Sequence, residues 1–423
     1  MSERKPLEGI KVLEMSTFIA VPACARFFAE FGADVIKVEP KTGDNVRFNG
    51  ESEGRLGDPY ENTTFDLENA HKRSIVVNLK APEGREILYK LLEDTDIFVT
   101  NWRPQALAKL GLDFDSLKDR FPKLVYATLT GFGETGPDMN LPGYDFTSFW
   151  ARGGLLGTLY QKDSEPINLI PGVGDHITGM FMAAGIMTAL YNAEKTGKGD
   201  KVSINLLHTS IFVQGIAIQA AQYKGLGQEY PISRKTAENP FNNTYRSKDG
   251  RHIQISMPPF DLFYPKFMPL IGRADLVGDE RYTIANITRN KLHGEFIQIL
   301  SDAFAQKTAE EWSEILTEGD VPFSICYVWE EVLEDRQAWA TGVFEEVDYP
   351  SGKRTMIRPP VTIGGADVIP YARAPMLAEH SEEILKELGY TEEQLGEMHN
   401  NGIFNTWEDV KPFVYKSSGM PLE

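Results

Sequence analysis

The chain has 423 residues, 42% of them hydrophobic and 25% charged, and a formal net charge of −18. That length favours two domains over one core, and that charge argues against nucleic acid or an anionic membrane as a partner. Only Cys24 and Cys326 are present, and the seven histidines are scattered without metal-ligand spacing, so neither a disulfide framework nor a metal site is expected.

In chain order, short β-rich runs alternate with helical patterns. Ile10–Met15 reads as a strand, 23–31 as a helix ended by Gly32, and Val35–Val38 as the next strand. Further strands are expected at 75–79, 97–100 and 124–129, with helices at 83–92 and 105–110 between them. This order predicts an α/β fold with a parallel sheet, and ligands at the carboxyl ends of its strands. Long apolar helices are predicted at 177–193 and 209–223, flanking a strand at 201–206. The apolar stretch near Met180–Tyr191 is shorter than a bilayer span, and the first residues lack the apolar core of a signal peptide, so a cytoplasmic protein is expected. Gly225, Gly227 and Pro231 mark a candidate linker. Beyond it, Asp249-Gly250 predicts a hairpin between 244–246 and 252–256, followed by helices near 260–270, 291–305 and 309–316. A second hairpin turns at Ser351-Gly352, and acidic helices are expected at 378–388 and 391–399. The chain therefore divides into a large domain from 1–224 and 325–423, with a smaller α+β domain at 225–324 between its parts.

The segment Pro171-Gly172-Val173-Gly174-Asp175-His176 puts one carboxylate behind two glycines, just before an apolar run. An aspartate there is expected to cap a helix, with the positive end of the helix dipole keeping it ionised. An ionised, accessible carboxylate beside residues without side chains suits a carboxylate nucleophile; the plain alternative is an ordinary N-cap after a turn. Gly131-Phe132-Gly133-Glu134-Thr135-Gly136 spells the dinucleotide fingerprint after a strand. Pro137 and Pro142 then deny it the helix that would hold a pyrophosphate, so a tight loop open to a ligand is expected. No P-loop and no G-x-S-x-G is present. Between His71 and Lys109 the chain is locally basic. Lys80, Arg103 and Lys109 fall at element ends, where they could meet phosphates. Asn101-Trp102 offers an amide and an aromatic face for a purine base, with core burial as the alternative for Trp102.

Several stretches together resemble the class III CoA-transferase family. They are Gly9 to Glu14, Phe31 to Pro40, Lys72 to Lys80, Asn101-Trp102-Arg103-Pro104, Gly131 to Pro137, Pro142-Gly143-Tyr144-Asp145, Gly172-Val173-Gly174-Asp175 and Glu334-Asp335-Arg336-Gln337. The resemblance implies a Rossmann-like large domain built from both chain ends, a small inserted domain, and two ring-shaped subunits interlocked as a homodimer. It implies CoA and acyl-CoA as substrates, with no permanently bound cofactor. Asp175 falls on the family's nucleophile. Phe18, Ile19, Ala20, Val77, Lys80, Asn101, Trp102, Ala106 and Lys109 fall on its CoA contacts. Two positions depart from the pattern: Pro40 replaces a frequent basic residue, and Met257-Pro258-Pro259-Phe260 replaces a glycine-rich lid loop. Glu61 to Ala70, Ala151-Arg152-Gly153-Gly154, Gly174-Asp175-His176 and Met257-Pro258-Pro259 carry a closer match to the family's 2-hydroxyacid branch. That branch feeds a 2-hydroxyacyl-CoA dehydratase in anaerobic amino-acid fermentation.

The resemblance implies transfer of CoA from an aryl-enoyl-CoA of the cinnamoyl type to an aryl-lactate such as phenyllactate, through an aspartyl anhydride and an aspartyl-CoA thioester. An aliphatic acceptor, 2-hydroxyisocaproate, is the first alternative. An α-methylacyl-CoA racemase is the second, disfavoured because Tyr144 stands where racemases carry a histidine. A non-catalytic CoA-binding subunit is the third. His176 is read as positional rather than as a base. Phe146, Phe149, Trp150, Met257, Phe260 and Phe263 are expected either to line an apolar slot for a ring or to pack in the core.

Overall fold

Short apolar runs form the central strands Lys11–Met15, Arg73–Val77, Ile97–Thr100 and Val125–Thr130, and glycine ends many of the helices. In the computed structural model, which describes residues 5–50, 54–223 and 230–419, the elements run β1 (Lys11–Met15), α1 (Ala20–Glu30), β2 (Asp34–Glu39), α2 (Thr63–Asn69), β3 (Arg73–Val77), α3 (Pro82–Glu93), β4 (Ile97–Thr100), α4 (Pro104–Leu110), α5 (Phe114–Leu117) and β5 (Val125–Thr130). A wide π-type helical segment, Asp145–Arg152, precedes α6 (Val173–Thr196), β6 (Lys201–Asn205), α7 (Leu206–Val213) and α8 (Gly215–Ala220). Then come β7 (Asn242–Arg246), β8 (His252–Ser256), α9 (Phe260–Leu270), α10 (Ile284–Asn290), α11 (His293–Phe304), α12 (Ala309–Glu318), β9 (Phe323–Ile325), α13 (Trp329–Leu333) and α14 (Arg336–Ala340). The chain closes with β10 (Phe344–Tyr349), β11 (Gly352–Ile357), α15 (Ser381–Glu387), α16 (Glu392–Asn400), β12 (Phe404–Asn405) and α17 (Trp407–Ser417).

The chain forms two compact units. The first takes 1–154, 169–215 and 337–423, and holds a seven-stranded sheet in the order β12-β3-β2-β1-β4-β5-β6. Six strands are parallel, and β12 joins β3 antiparallel at the edge. The order 3-2-1-4-5-6 is that of a Rossmann sheet, whose switch point lies between β1 and β4. Leu13, Met15, Phe98 and Tyr126 are buried in one layer of its core. The second unit takes 155–168 and 216–336. It thus takes in 155–168, 216–224 and 325–336, thirty-five residues expected in the large domain. The candidate linker residues Gly225 and Gly227 lie outside the described residues. This unit is a three-stranded antiparallel sheet, β7-β8-β9, with helices around one aromatic core. Met257 and Phe260 belong to that core, at 0% and 2% exposure, and Phe263 packs against it. They hold the second unit together rather than lining a slot.

The apolar stretch in the middle of the chain proves longer than expected. α6 has 24 residues and is long and apolar enough to cross a membrane by length and composition. Within the first unit it packs on α1, on β5 and β6, and on the π-type segment. The helix expected over 209–223 is instead two short helices, broken at Gln214. α2, α17 and β12 carry no sequence expectation, and α2 proves important for the site.

Candidate active site

β1 ends at Met15, and the chain turns at Thr17 and Phe18. β4, across the switch point, ends at Thr100 and runs into Asn101 and Trp102. Asn101 ties the two ends together: its Oδ1 accepts the Thr17 N–H at 3.0 Å, and its Nδ2 donates to the Thr17 carbonyl at 2.7 Å. Phe18 has φ +66°, a left-handed conformation that costs a residue with a side chain about 1–2 kcal/mol. Its N–H is held by Asp44 Oδ1 at 3.2 Å. Beneath this turn lies a buried ion network. Glu14 receives Lys37 Nζ at 2.7 Å and Lys72 Nζ at 2.7 Å, and Lys37 also reaches Asp44 at 3.2 Å. Burial alone would raise the Glu14 carboxyl, but the two lysines hold it down at about 2. Removing either partner of such a network strands a buried charge, so the Phe18 turn rests on a rigid base.

The start of α6 meets this turn. Gly172 is its N-cap at φ +83°, and Asp175 is its third residue, not its cap. The capping carboxylate comes from Asp145, whose Oδ2 accepts the Gly172 N–H at 2.9 Å. Two glycines set how close α6 can come. A Cβ on Gly174 would lie 2.2 Å from Asp145 Oδ1 and 2.4 Å from the Phe149 ring, and a Cβ on Gly179 would lie 2.5 Å from the Ala20 carbonyl. A glycine inside a helix costs about 1 kcal/mol relative to alanine, and here each one permits a close approach. The result is a cleft of about 190 Å³, lined by Thr17, Phe18, Asn101, Trp102, Tyr144 and Asp175 among others. It lies at the carboxyl ends of β1 and β4, where a ligand of an open parallel sheet binds.

A model of CoA-transferase family III matches residues 7–381. The chain belongs to CoA-transferase family III. It is 49% identical over 394 residues to a cinnamoyl-CoA:phenyllactate CoA-transferase of Clostridium sporogenes, covering 93% of this chain and 96% of that one. It is 39% identical over 398 residues to an (R)-2-hydroxy-4-methylpentanoate CoA-transferase of Clostridioides difficile, covering 94% of this chain and 99% of that one. Among solved structures, a CAIB/BAIF family protein from Brucella suis superposes with a TM-score of 0.77 at 30% identity, covering 91% of this chain and all of that one. The chain is therefore an enzyme whose substrates are CoA thioesters.

The transferase cleft gathers some of the residues expected from sequence and leaves others apart. Phe18, Ala20, Asn101, Trp102 and Asp175 line it together. Ile19, the N-cap of α1, sits against Gly172, with its Cδ1 3.3 Å from where a Cβ would be. Val77 is buried in the core at the end of β3, while Lys80, Ala106 and Lys109 are exposed outside the cleft lining. The basic window resolves into two groups. Lys72 is buried on Glu14, and Arg73 pairs with Asp34 and Glu387. Among the described residues, no ion pair engages Lys80, Arg103 or Lys109. Gly131 packs on Gly143, with a Cβ there only 2.6 Å from the Gly143 Cα, which explains the glycine-rich loop without a dinucleotide. Phe149 is core, 1% exposed, rather than slot. No group of His, Cys, Asp and Glu suited to a metal ion occurs among the described residues.

The electrostatics correct one expectation. Asp175 is not held ionised by its helix: burial first, and then the nearby Asp145 carboxylate, push its carboxyl up to about 7, against the opposing pull of His176. Asp145 is raised too, chiefly by burial. His176 Nε2 meets Glu68 Oε1 at 2.7 Å, with the Glu68 side chain 2% exposed. Burial would lower the imidazole, but the bond and charge of Glu68, aided by Asp175 and Asp145, raise it above the ordinary histidine value. Asp145 and Glu68 are the two site residues that sequence reasoning passed over. Each stood inside a quoted motif, with no local signal of its role.

Proposed function

We propose that this family III CoA-transferase moves CoA from an aryl-enoyl-CoA such as cinnamoyl-CoA to an aryl-lactate such as phenyllactate, with Asp175 as the covalent nucleophile. The observation that carries the reading is Asp175 itself: a carboxylate at the third position of α6, in the wall of the switch-point cleft, relieved of capping by Asp145. The Clostridium sporogenes relative supports the substrate pair.

The Asp175 carboxylate adds to the donor thioester carbonyl, the C–S bond breaks, and CoA leaves as thiolate, giving a mixed anhydride. The thiolate adds to the aspartyl carbonyl and expels the donor acid, giving an aspartyl-CoA thioester. The acceptor carboxylate displaces the thiolate again to form a second anhydride. Attack of the thiolate on the acceptor carbonyl then releases the new thioester and regenerates Asp175. Each step exchanges one acyl bond for another, so the thioester energy is conserved. N–H groups of the first turn of α6, which have no helical acceptor, would hold the oxyanions. Phe18, Ile19, Ala20, Val77, Trp102 and Ala106 would contact CoA, with Lys80, Asn101 and Lys109 at its nucleotide half. The same reading gives CoA-binding to 1–224 and 325–423, with 225–324 as the inserted domain. It places the enzyme in the cytoplasm beside a 2-hydroxyacyl-CoA dehydratase, as an interlocked homodimer. Exposed Phe181, Tyr191, Ile211 and Phe212 on α6 and α7 support a partner surface.

The test combines trapping with specificity. Hydroxylamine added with acyl-CoA should inactivate the enzyme and label Asp175. Asp175→Ala should lose essentially all transfer while still binding CoA, and near-normal turnover in that variant would reject the nucleophile. The ratio of kcat/KM for phenyllactate to that for 2-hydroxyisocaproate, with one common donor, decides the acceptor. A ratio below one moves the assignment to the aliphatic acid.

A further inference from the structure

The imidazole of His176 is fixed from two sides at the start of α6. Its Nε2 meets Glu68 Oε1 at 2.7 Å, and its Nδ1 and Cε1 edge lies over the helix cap, 3.5 Å from where a Cβ on Gly172 would be. Glu68 is itself held in place by its helix. α2 is capped by Asn62, Arg26 Nη1 donates to the Leu67 carbonyl, and Lys72 Nζ donates to Asn69 Oδ1 at 3.0 Å. These bonds anchor α2 without Glu68, whose side chain is only 2% exposed. Burying a carboxylate is costly unless it is paired, and an apolar residue would pack at such a position at less cost. The Glu68 charge therefore answers to His176 rather than to the helix that carries it.

The charges around this turn do not balance without the imidazole. Asp145, from the π-type segment, and Glu68, from α2, put negative charge near Asp175, and His176 is the group that opposes them. The other cations nearby are committed. Lys72 lies within reach of the Glu68 charge but binds Glu14 at 2.7 Å. Arg26 and Arg358 line the hollow beside His176, and both bind Glu30, with Glu345 as a second partner of Arg358. Burial would discharge the imidazole, and the bond to Glu68 reverses this. Carboxylates set close together do not all stay charged unless a cation stands among them. We propose that His176 is a positioning residue whose positive charge, fixed by Glu68, keeps the Asp175 carboxylate ionised at neutral pH. This rests on Asp175 being the nucleophile. His176 moves no proton in the transfer. Asp175 loses its charge when it is acylated and regains it when the product leaves, and the imidazolium favours that charged, attacking form.

The experiment reads the acid limb of thiolate release in a single turnover, with cinnamoyl-CoA as donor. His176→Gln keeps a polar side chain that can still donate to Glu68, and loses the charge. It should move the limb to higher pH by about one unit, a tenfold loss of ionised nucleophile on the acid side. His176→Lys keeps the charge and loses the ring, and should leave the limb in place. A limb unmoved in His176→Gln overturns the proposal, as does a uniform fall at every pH. So does a lysine variant whose limb moves as far as that of the glutamine variant. Titration of the His176 ring by NMR in the full-length enzyme gives a second reading. The ring should carry its charge at neutral pH and lose it at lower pH in Glu68→Gln. A ring already neutral there in the unmodified enzyme overturns the proposal even if the His176 variants do not fold. Hydroxylamine labelling of Asp175 in the unmodified enzyme separates this inference from the reading beneath it. Absence of the label rejects the nucleophile, while a label with an unmoved limb rejects the role of His176 alone.

Discussion

Replacing Asp145 by asparagine tests the link between helix capping and the reactivity of Asp175. The substitution is nearly isosteric, and its amide oxygen can still accept the Gly172 N–H now held at 2.9 Å. What disappears is a negative charge beside the nucleophile. Asp175 lies about three pH units above an ordinary aspartate, with burial as the larger cause and Asp145 the second. Because burial survives the substitution, most of that rise should survive too. A fall of about one pH unit is expected, equivalent to ~1.4 kcal/mol. Asp175 must be ionised to attack, so activity rises with pH through the pKa of this group, near 7 in the unmodified enzyme. In Asp145→Asn the acid limb of kcat/KM should move to lower pH by about that unit, while the plateau falls modestly because a less basic carboxylate is a weaker nucleophile. The clean assay is the pH dependence of thiolate release in a single turnover with one donor, which isolates the first attack. An acid limb that stays where it was, or moves to higher pH, would refute the coupling.

Other substitutions probe the same architecture. Asp175→Asn should abolish transfer yet raise thermal stability at pH 8. A carboxyl whose folded pKa is raised favours the fold below its unfolded value of 3.8, and that contribution is lost as pH climbs toward 7. The amide removes a penalty of up to about 4 kcal/mol. Calorimetry should find the gain at pH 8 and its disappearance near pH 4; a gain that persists at pH 4 would point to another cause. Gly179→Ala drives a methyl group into the Ala20 carbonyl, 2.5 Å away, and should cost about 1–3 kcal/mol by denaturant melting. Lys72→Met strands Glu14 without one of its two lysines and should cost about 3–5 kcal/mol. Lys109→Ala should weaken CoA by about 1–2 kcal/mol in calorimetric titration, less at high salt; unchanged affinity there and in Lys80→Ala would move the nucleotide site elsewhere.

The centre of the sheet was legible because β1, β3, β4 and β5 are largely apolar runs with turn residues between them. β1, β4 and the hairpin of β7 and β8 appear within a residue or two of expectation. α2 was not legible. Thr63–Asn69 is short, with only Phe65 and Leu67 apolar, and its first turn is fixed by Asn62, whose Oδ1 accepts the N–H groups of Thr64 and Phe65. The partner of β12 is β3, more than three hundred residues earlier, and no local pattern announces a two-residue edge strand. Asp175 was found because glycines flank it. Glu68 was missed because the reason for its burial is His176, 108 residues away.

The same contrast explains why the glycine motif carries chemistry. A helix start leaves N–H groups without acceptors, and the residue best placed to take them is the N-cap. Had Asp175 been that cap, its oxygens would be spent on the helix and its pKa held low, leaving a weak nucleophile. Gly172 takes the cap position at φ +83°, where a residue with a side chain would be strained. Gly174 then lets Asp145 reach the helix start from the side. Two glycines and a second aspartate thus move the capping task off Asp175, which is left half-buried in the cleft wall with a raised pKa and no hydrogen bond from the described residues. Gly174→Ala separates the two parts of this argument. Its Cβ would meet Asp145 Oδ1 at 2.2 Å and push the cap away. Transfer should fall at least a hundredfold while Asp175 itself is intact, about 2.7 kcal/mol or more in the barrier. Normal turnover in that variant would show that the close approach of Asp145 to the helix has no part in activating the nucleophile.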